Sequence, residues 1–116
     1  MTLSTTFSDI NTLDDISFIA GSTYTLKFTI LDQSGSAIDL SDAICTWSLA
    51  SYGTDFSILT KTCNLIAINA FEVILSAADT QGLSGKFSHQ PSILFSSGLV
   101  SIPSQGIITI IKRISS

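Results

Sequence analysis

Between Phe71 and Phe95 the sequence runs FEVILSAADTQGLSGKFSHQPSILF, and it divides into a strand, one capped helical turn, a glycine and a second strand. Phe71, Val73 and Leu75 fall on one side of a period-2 alternation. Ser76 is placed to cap the three residues that follow, with Asp79 answering it as the other half of a capping box, and Gly85 gives the backbone the freedom to turn out again. A helical turn carried between two strands is a link across a β-sandwich. Nothing in the segment has the arrangement of reactive side chains that chemistry needs, which moves the question from a reaction to an assembly.

The rest of the chain repeats the β theme. Ile16 to Ala20 predicts a first strand and Gly21-Ser22 a break. Tyr24, Leu26, Phe28 and Ile30 then form an inward face, with Thr23, Thr25, Lys27 and Thr29 outside. Turn residues Asp32-Gln33-Ser34-Gly35 and the loop Ile38-Asp39-Leu40-Ser41-Asp42 lead into Ala43 to Leu49, where Cys45, Trp47 and Leu49 share the buried side. A wetter connection at 51–55 precedes two short apolar pieces at 56–60 and 64–68. After Phe95, Ser96-Ser97-Gly98 turns the chain into Leu99 to Ile102 and a final strand from Ile107 to Lys112. Short strands at spacings of roughly ten residues predict an all-β, Ig-like antiparallel β-sandwich of about seven to nine strands with one short helical turn. The immunoglobulin cysteine–tryptophan–cysteine spacing is absent, because Trp47 follows Cys45 by only two positions. Residues 1–14 are rich in Ser, Thr and Asp, with Leu3, Phe7 and Ile10 spaced as one side of a weak helix. They read as an N-terminal arm that orders by docking, ahead of a sandwich domain over 15–116.

Charge narrows the function. Charged residues make up 12% of the chain, against about a quarter in a typical soluble domain. The surface polarity comes instead from 20 Ser and 13 Thr, which hydrogen-bond without repelling a like surface. That balance predicts an exterior packed against other protein copies. With a net charge of −4 and five scattered basic residues, the chain has no cationic cluster for nucleic acid. The longest apolar stretch, Gly106 to Ile111, is far short of a bilayer span, and the N-terminus has no signal-peptide pattern. Cys45 and Cys63 lack metal-type spacing and read as reduced, buried thiols.

Several motifs, in order, carry a resemblance. They are Gly21-Ser22-Thr23-Tyr24-Thr25-Leu26 with Phe28, Asp32 to Gly35, Ile38-Asp39-Leu40-Ser41, Leu75-Ser76-Ala77-Ala78-Asp79-Thr80, Leu83, Gly85-Lys86-Phe87, Gly98 and Gly106. Over residues 16–112 the chain resembles the Ig-like domain of tailed bacteriophages found at the N-terminus of upper-baseplate and receptor-binding-complex proteins and in small tail or fibre-associated proteins. It departs from that pattern at Ser22, where Asp is usual, at Asp42, where Gly is frequent, and at Pro91, where an apolar residue other than proline is usual. Pro91 predicts an edge strand or a bulge at that point. The resemblance implies a multi-copy structural module joining tail, baseplate or fibre parts of a virion assembled in the host cytoplasm, and it transfers no catalytic residue.

Other functions find little support in the residues. His89, the one histidine, can be grouped on paper with Ser84 or Ser88 and Asp79, but no glycine-framed nucleophile elbow surrounds either serine. The alternation places His89 on the side of Phe87, as a partly buried packing residue bonding to backbone. Cys45, Cys63 and His89 offer no paired metal spacing, and Asp32 and Asp39 read as turn formers rather than calcium ligands. Thus no cofactor or metal is expected. Tyr52 and Phe56 flank Gly53-Thr54-Asp55, where an exposed aromatic can stack on a sugar ring.

The expectation is therefore a non-enzymatic structural virion protein that meets other phage proteins and copies of itself. Leu3, Phe7, Ile10, Ile107 and Ile111 are its expected contact residues, and the last strand is expected to be covered on one face by the core and on the other by a partner. The alternatives are a capsid decoration or cement protein and a host-glycan-binding module contacting its ligand through Tyr52 and Phe56.

Overall fold

The structure, a computed structural model, describes residues 2–7, 15–31, 36–102 and 105–114. Among them the strands are β1 (Thr2–Phe7), β2 (Ile16–Ile19), β3 (Tyr24–Ile30), β4 (Ile44–Ser51), β5 (Ser57–Thr62) and β6 (Asn64–Ala67). The chain continues with β7 (Ala70–Leu75), the helical turn α1 (Ala77–Thr80), β8 (Gly85–Leu94), β9 (Val100–Ser101) and β10 (Gly106–Ile111). Two sheets form a sandwich. The smaller has the order β1-β3-β7-β6, and the larger β2-β10-β8-β4-β5 with β9 pairing an end of β8.

The alternation read from sequence is the alternation that packs. Leu26, Phe28 and Ile30 of β3 and Phe71, Val73 and Leu75 of β7 are buried from the smaller sheet, and Cys45, Trp47, Leu49, Phe87, His89, Ile93, Ile108 and Ile110 from the larger. Phe28 and Phe71 are cross-strand partners whose rings stack at 5.2 Å between centroids. Such paired aromatics inside a sandwich carry much of its cohesion, and truncating one to Ala typically costs about 3–5 kcal/mol.

The link between β7 and β8 is built as its residues predict. The Ser76 side chain accepts from the Asp79 backbone N–H at 3.3 Å, and the Asp79 carboxylate accepts from the Ser76 backbone N–H at 2.7 Å. The chain thereby crosses from the smaller sheet to the larger. Gly85 has φ +104°, a conformation that residues with a Cβ rarely adopt. Thr80 is buried at the end of α1, where its hydroxyl accepts from the Gly21 N–H at 3.0 Å and ties the link to the β2–β3 turn.

Three expectations change. The helical spacing of Leu3, Phe7 and Ile10 is not realised over the described residues: Thr2–Phe7 is a strand, paired parallel with β3 so that Leu3 lies opposite Leu26 and Phe7 opposite Ile30. Ile10 lies outside the described residues. β2 and β10 also pair in parallel, so each sheet has one parallel pair at an edge of an otherwise antiparallel ladder, and β1 raises the strand total to ten among the described residues. Finally, Pro91 is on a central strand. It pairs with Trp47 of β4 on one side, while on the other the ladder to β10 ends at His89 and the ladder to β9 begins at Ile93. The missing N–H is tolerated at this break, which is the local irregularity that proline demands.

Candidate interaction surface

The outward side chains of the larger sheet form rows across its strands, since directly paired residues share a face. At one end Ile44 lies opposite Leu94, and Leu94 opposite Val100. All three are exposed, at 58%, 42% and 62%. The next two rows are Thr62, Thr46 and Ser92, then Thr60, Ser48 and Gln90. Further along, Ser17, Thr109 and Lys86 form a row. At the far end Ile19 pairs with Ile111, and both are exposed. These paired rows are therefore uncharged except for Lys86, with hydroxyls and an amide in the middle and branched aliphatics at both ends.

A second apolar area is spread over β5, β6 and β7. Ile58 of β5, Leu65 and Ile66 of β6, Ile68 of the following turn and Ile74 of β7 are all exposed. Lys61 of β5 closes this side of the sandwich, because its Nζ donates to the Ile74 carbonyl at 2.9 Å and to Asp79 Oδ2. That bond is the main reason the Asp79 carboxyl sits below its ordinary pKa, its capping bonds to Ser76 adding to the effect against a smaller opposing pull from burial.

Of the expected contact residues, Ile107 is half-buried and Ile111 exposed on β10. Leu3 and Phe7 are placed by their backbone pairing with β3. On the outward face of β10, Ile111 is 51% exposed among the described residues. Tyr52 and Phe56 are exposed at 56% and 78%, and the Lys86 ammonium lies 5.3 Å from the Tyr52 ring centroid. Ile44, Leu94 and Val100 were missed by the sequence reading. Their signal is the run Ser92-Ile93-Leu94-Phe95, where apolar residues of both parities follow one another, so that one parity has to face out.

The paper triad does not assemble. His89 is 1% exposed, and its Nδ1 accepts from Trp47 Nε1 at 3.0 Å, so its partner is a side chain and not the expected backbone group. Ser88, its neighbour on β8, faces the opposite way, and Asp79 is engaged by Lys61 and Ser76. Burial lowers the pKa of His89 from 6.5 to about 4, which keeps the imidazole neutral. Cys45 and Cys63 are buried free thiols, and burial, with Cys45 adding to it, pushes Cys63 up to about 12. Neither is an activated nucleophile in that state. Asp39 accepts from the Ser41 N–H at 2.9 Å in the turn expected of it. Among the described residues no group of three or more His, Cys, Asp or Glu side chains is placed to hold a metal ion, and no helix is long and apolar enough to cross a membrane.

One solved structure shares this architecture and two others match it more loosely. The N-terminal domain of phage TP901-1 ORF48 matches with a TM-score of 0.60 at 10% sequence identity, covering 98% of this chain and 100% of that one. CopC from Methylosinus trichosporium OB3b matches with a TM-score of 0.48 at 12% identity, over 88% of each chain. The fibronectin(III)-like modules of Clostridium thermocellum CbhA match with a TM-score of 0.46 at 12% identity, over 87% of this chain and 93% of that one. No family model and no curated protein matches the sequence. At 10% identity over the whole of both chains, what this protein has in common with the phage domain is its Ig-like β-sandwich fold.

Proposed function

We propose that the chain is a non-enzymatic structural module of a tailed-phage particle, joining tail, baseplate or fibre components through the outer face of its larger sheet. The observation that carries this reading is the makeup of that face: aliphatic rows at Ile44–Leu94–Val100 and Ile19–Ile111 on either side of a field of paired hydroxyl residues in which Lys86 is the one charged strand residue. Apolar rows supply affinity on burial. The hydroxyls between them bond across an interface without the desolvation cost of ions. The whole-length likeness to a phage protein's N-terminal domain supports the same setting, and the sealed His89 weighs against hydrolysis by the one histidine in the chain. Imaging purified particles by electron cryomicroscopy, with the chain carrying a compact C-terminal tag, tests the reading. Tag density repeated at one symmetric tail position is expected, and particles that lack the chain altogether would overturn it.

A further inference from the structure

A cleft of about 260 Å³ opens on the outer face of the larger sheet, floored by β4 and β8 and walled by residues 54–57 and by Gln105. Its lining mixes polar and apolar surface, and the polar groups are of few kinds. Ser48, Ser57 and Ser88 contribute hydroxyls, Gln90 and Gln105 amides, and Asp55 a carboxylate, while no Lys or Arg lines it. His89 also borders the cleft, but its ring lies in the core between Trp47 and Phe28, so only its backbone reaches this side. Gln105 Nε2 donates to Gln90 Oε1 at 3.0 Å. That bond fixes both amides and leaves the Gln90 nitrogen and the Gln105 oxygen to serve a ligand. Phe56 stands in the chain between the lining residues Asp55 and Ser57 without itself lining the cleft, and it is 78% exposed.

From this juxtaposition we infer that the cleft is a binding site for a neutral saccharide, one or two rings long. Sugar hydroxyls both donate and accept, which matches a lining of hydroxyls, amides and one carboxylate, and the C–H face of a pyranose matches an exposed aromatic. The absence of cationic lining residues argues against phosphorylated or acidic ligands. The volume, slightly under the usual range for drug-sized ligands, suits a short saccharide. The cleft shares Ser48 and Gln90 with the hydroxyl field of the proposed assembly face but none of its aliphatic rows, so saccharide binding by the free chain is read separately from assembly.

The test is an amide-resolved NMR titration of the full chain with a panel of neutral mono- and disaccharides: glucose, galactose, rhamnose, N-acetylglucosamine, maltose and lactose. At least one is expected to bind with millimolar affinity and to shift Thr54 to Ser57, Ser88, Gln90 and Gln105. Phe56→Ala and Gln90→Ala, both at solvent-facing positions, should each weaken it by about tenfold, and Leu94→Asp should leave it unchanged. No shift with any of the six, or shifts that persist undiminished in both cleft variants, would overturn the assignment. A preference for glucose 6-phosphate over glucose would also overturn it.

Discussion

Because Trp47 donates to Nδ1 of His89, the imidazole proton sits on Nε2, and that nitrogen is buried with no hydrogen-bond partner among the described residues. A buried unsatisfied N–H costs about 1–3 kcal/mol, and a second proton would place a charge between Phe28 and Trp47. The consequence is a pH dependence of defined sign. The unfolded chain takes up a proton on His89 as pH falls through 6.5, while the folded chain resists until about 4. Stability from this residue is therefore complete above pH 6.5 and is lost progressively between 6.5 and 4, by about 3 kcal/mol in all. Urea midpoints measured at pH 7.5 and 4.5 should reveal the loss, and His89→Gln, though less stable at pH 7.5, should show a much flatter profile. A slope unchanged in that variant would contradict the account. With a single histidine in the chain, the difference between the parent and His89→Gln profiles isolates its share from that of the carboxylates. The burial of His89 was legible from its parity with Phe87. Its partner was not, because Trp47 lies 42 positions away and only strand pairing brings the two together.

The elements that the sequence displayed most clearly are those whose alternation and caps agree, β3, β4, β7, α1 and β8. β1 was hidden because Leu3, Phe7 and Ile10 carry a helical spacing while Thr2, Thr5 and Thr6 carry a strand preference, and the open edge of β3 decides between them. A similar logic explains Lys61. In the β5 alternation it falls on the inward side, opposite Trp47, where a lysine is out of place until α1 brings Asp79 to it. The pair is under one-third exposed on both sides, at 29% and 19% of the side chains, so it should outdo an open surface ion pair only modestly. A double-mutant cycle of Lys61→Met and Asp79→Asn in urea at pH 7 should give a coupling of about 0.5–1 kcal/mol. Because the carboxyl of Asp79 is held below 3.8 in the fold, the coupling should be present above that pH and disappear as pH falls through the lowered value. A coupling of zero at pH 7 would mean that the clasp does not join β5 to the β7–α1 link. The cap is separable from it: Ser76→Ala should cost about 1 kcal/mol whether or not Lys61 is present.

At the scale of the molecule, low charge and a high hydroxyl count raise the expectation that much of the exterior is covered, but do not say which part of it. Pattern reading ranks a residue as inward or outward along one strand. It does not bring Ile44, Leu94 and Val100 from three strands into a single row, because that requires the register of β4, β8 and β9. Once the row exists its energetics are simple. Three exposed aliphatic side chains together offer several kcal/mol on complete burial, at about 25 cal/mol per Å², and a carboxylate introduced among them removes that gain and adds a desolvation cost. The double variant Ile44→Asp/Leu94→Asp changes only solvent-facing positions, so its melting temperature should stay within a few degrees of the parent. Its incorporation into particles, measured by quantitative mass spectrometry after complementation of a deletion, should fall at least tenfold. The same pair of substitutions at Ile66 and Ile74, in the second apolar area, provides the contrast. If incorporation survives the first pair and fails with the second, the interface lies on the β6 side of the sandwich and the larger sheet faces solvent. If both pairs incorporate normally, neither apolar area is an assembly contact, and the case for a structural role built on the exposed aliphatic rows collapses.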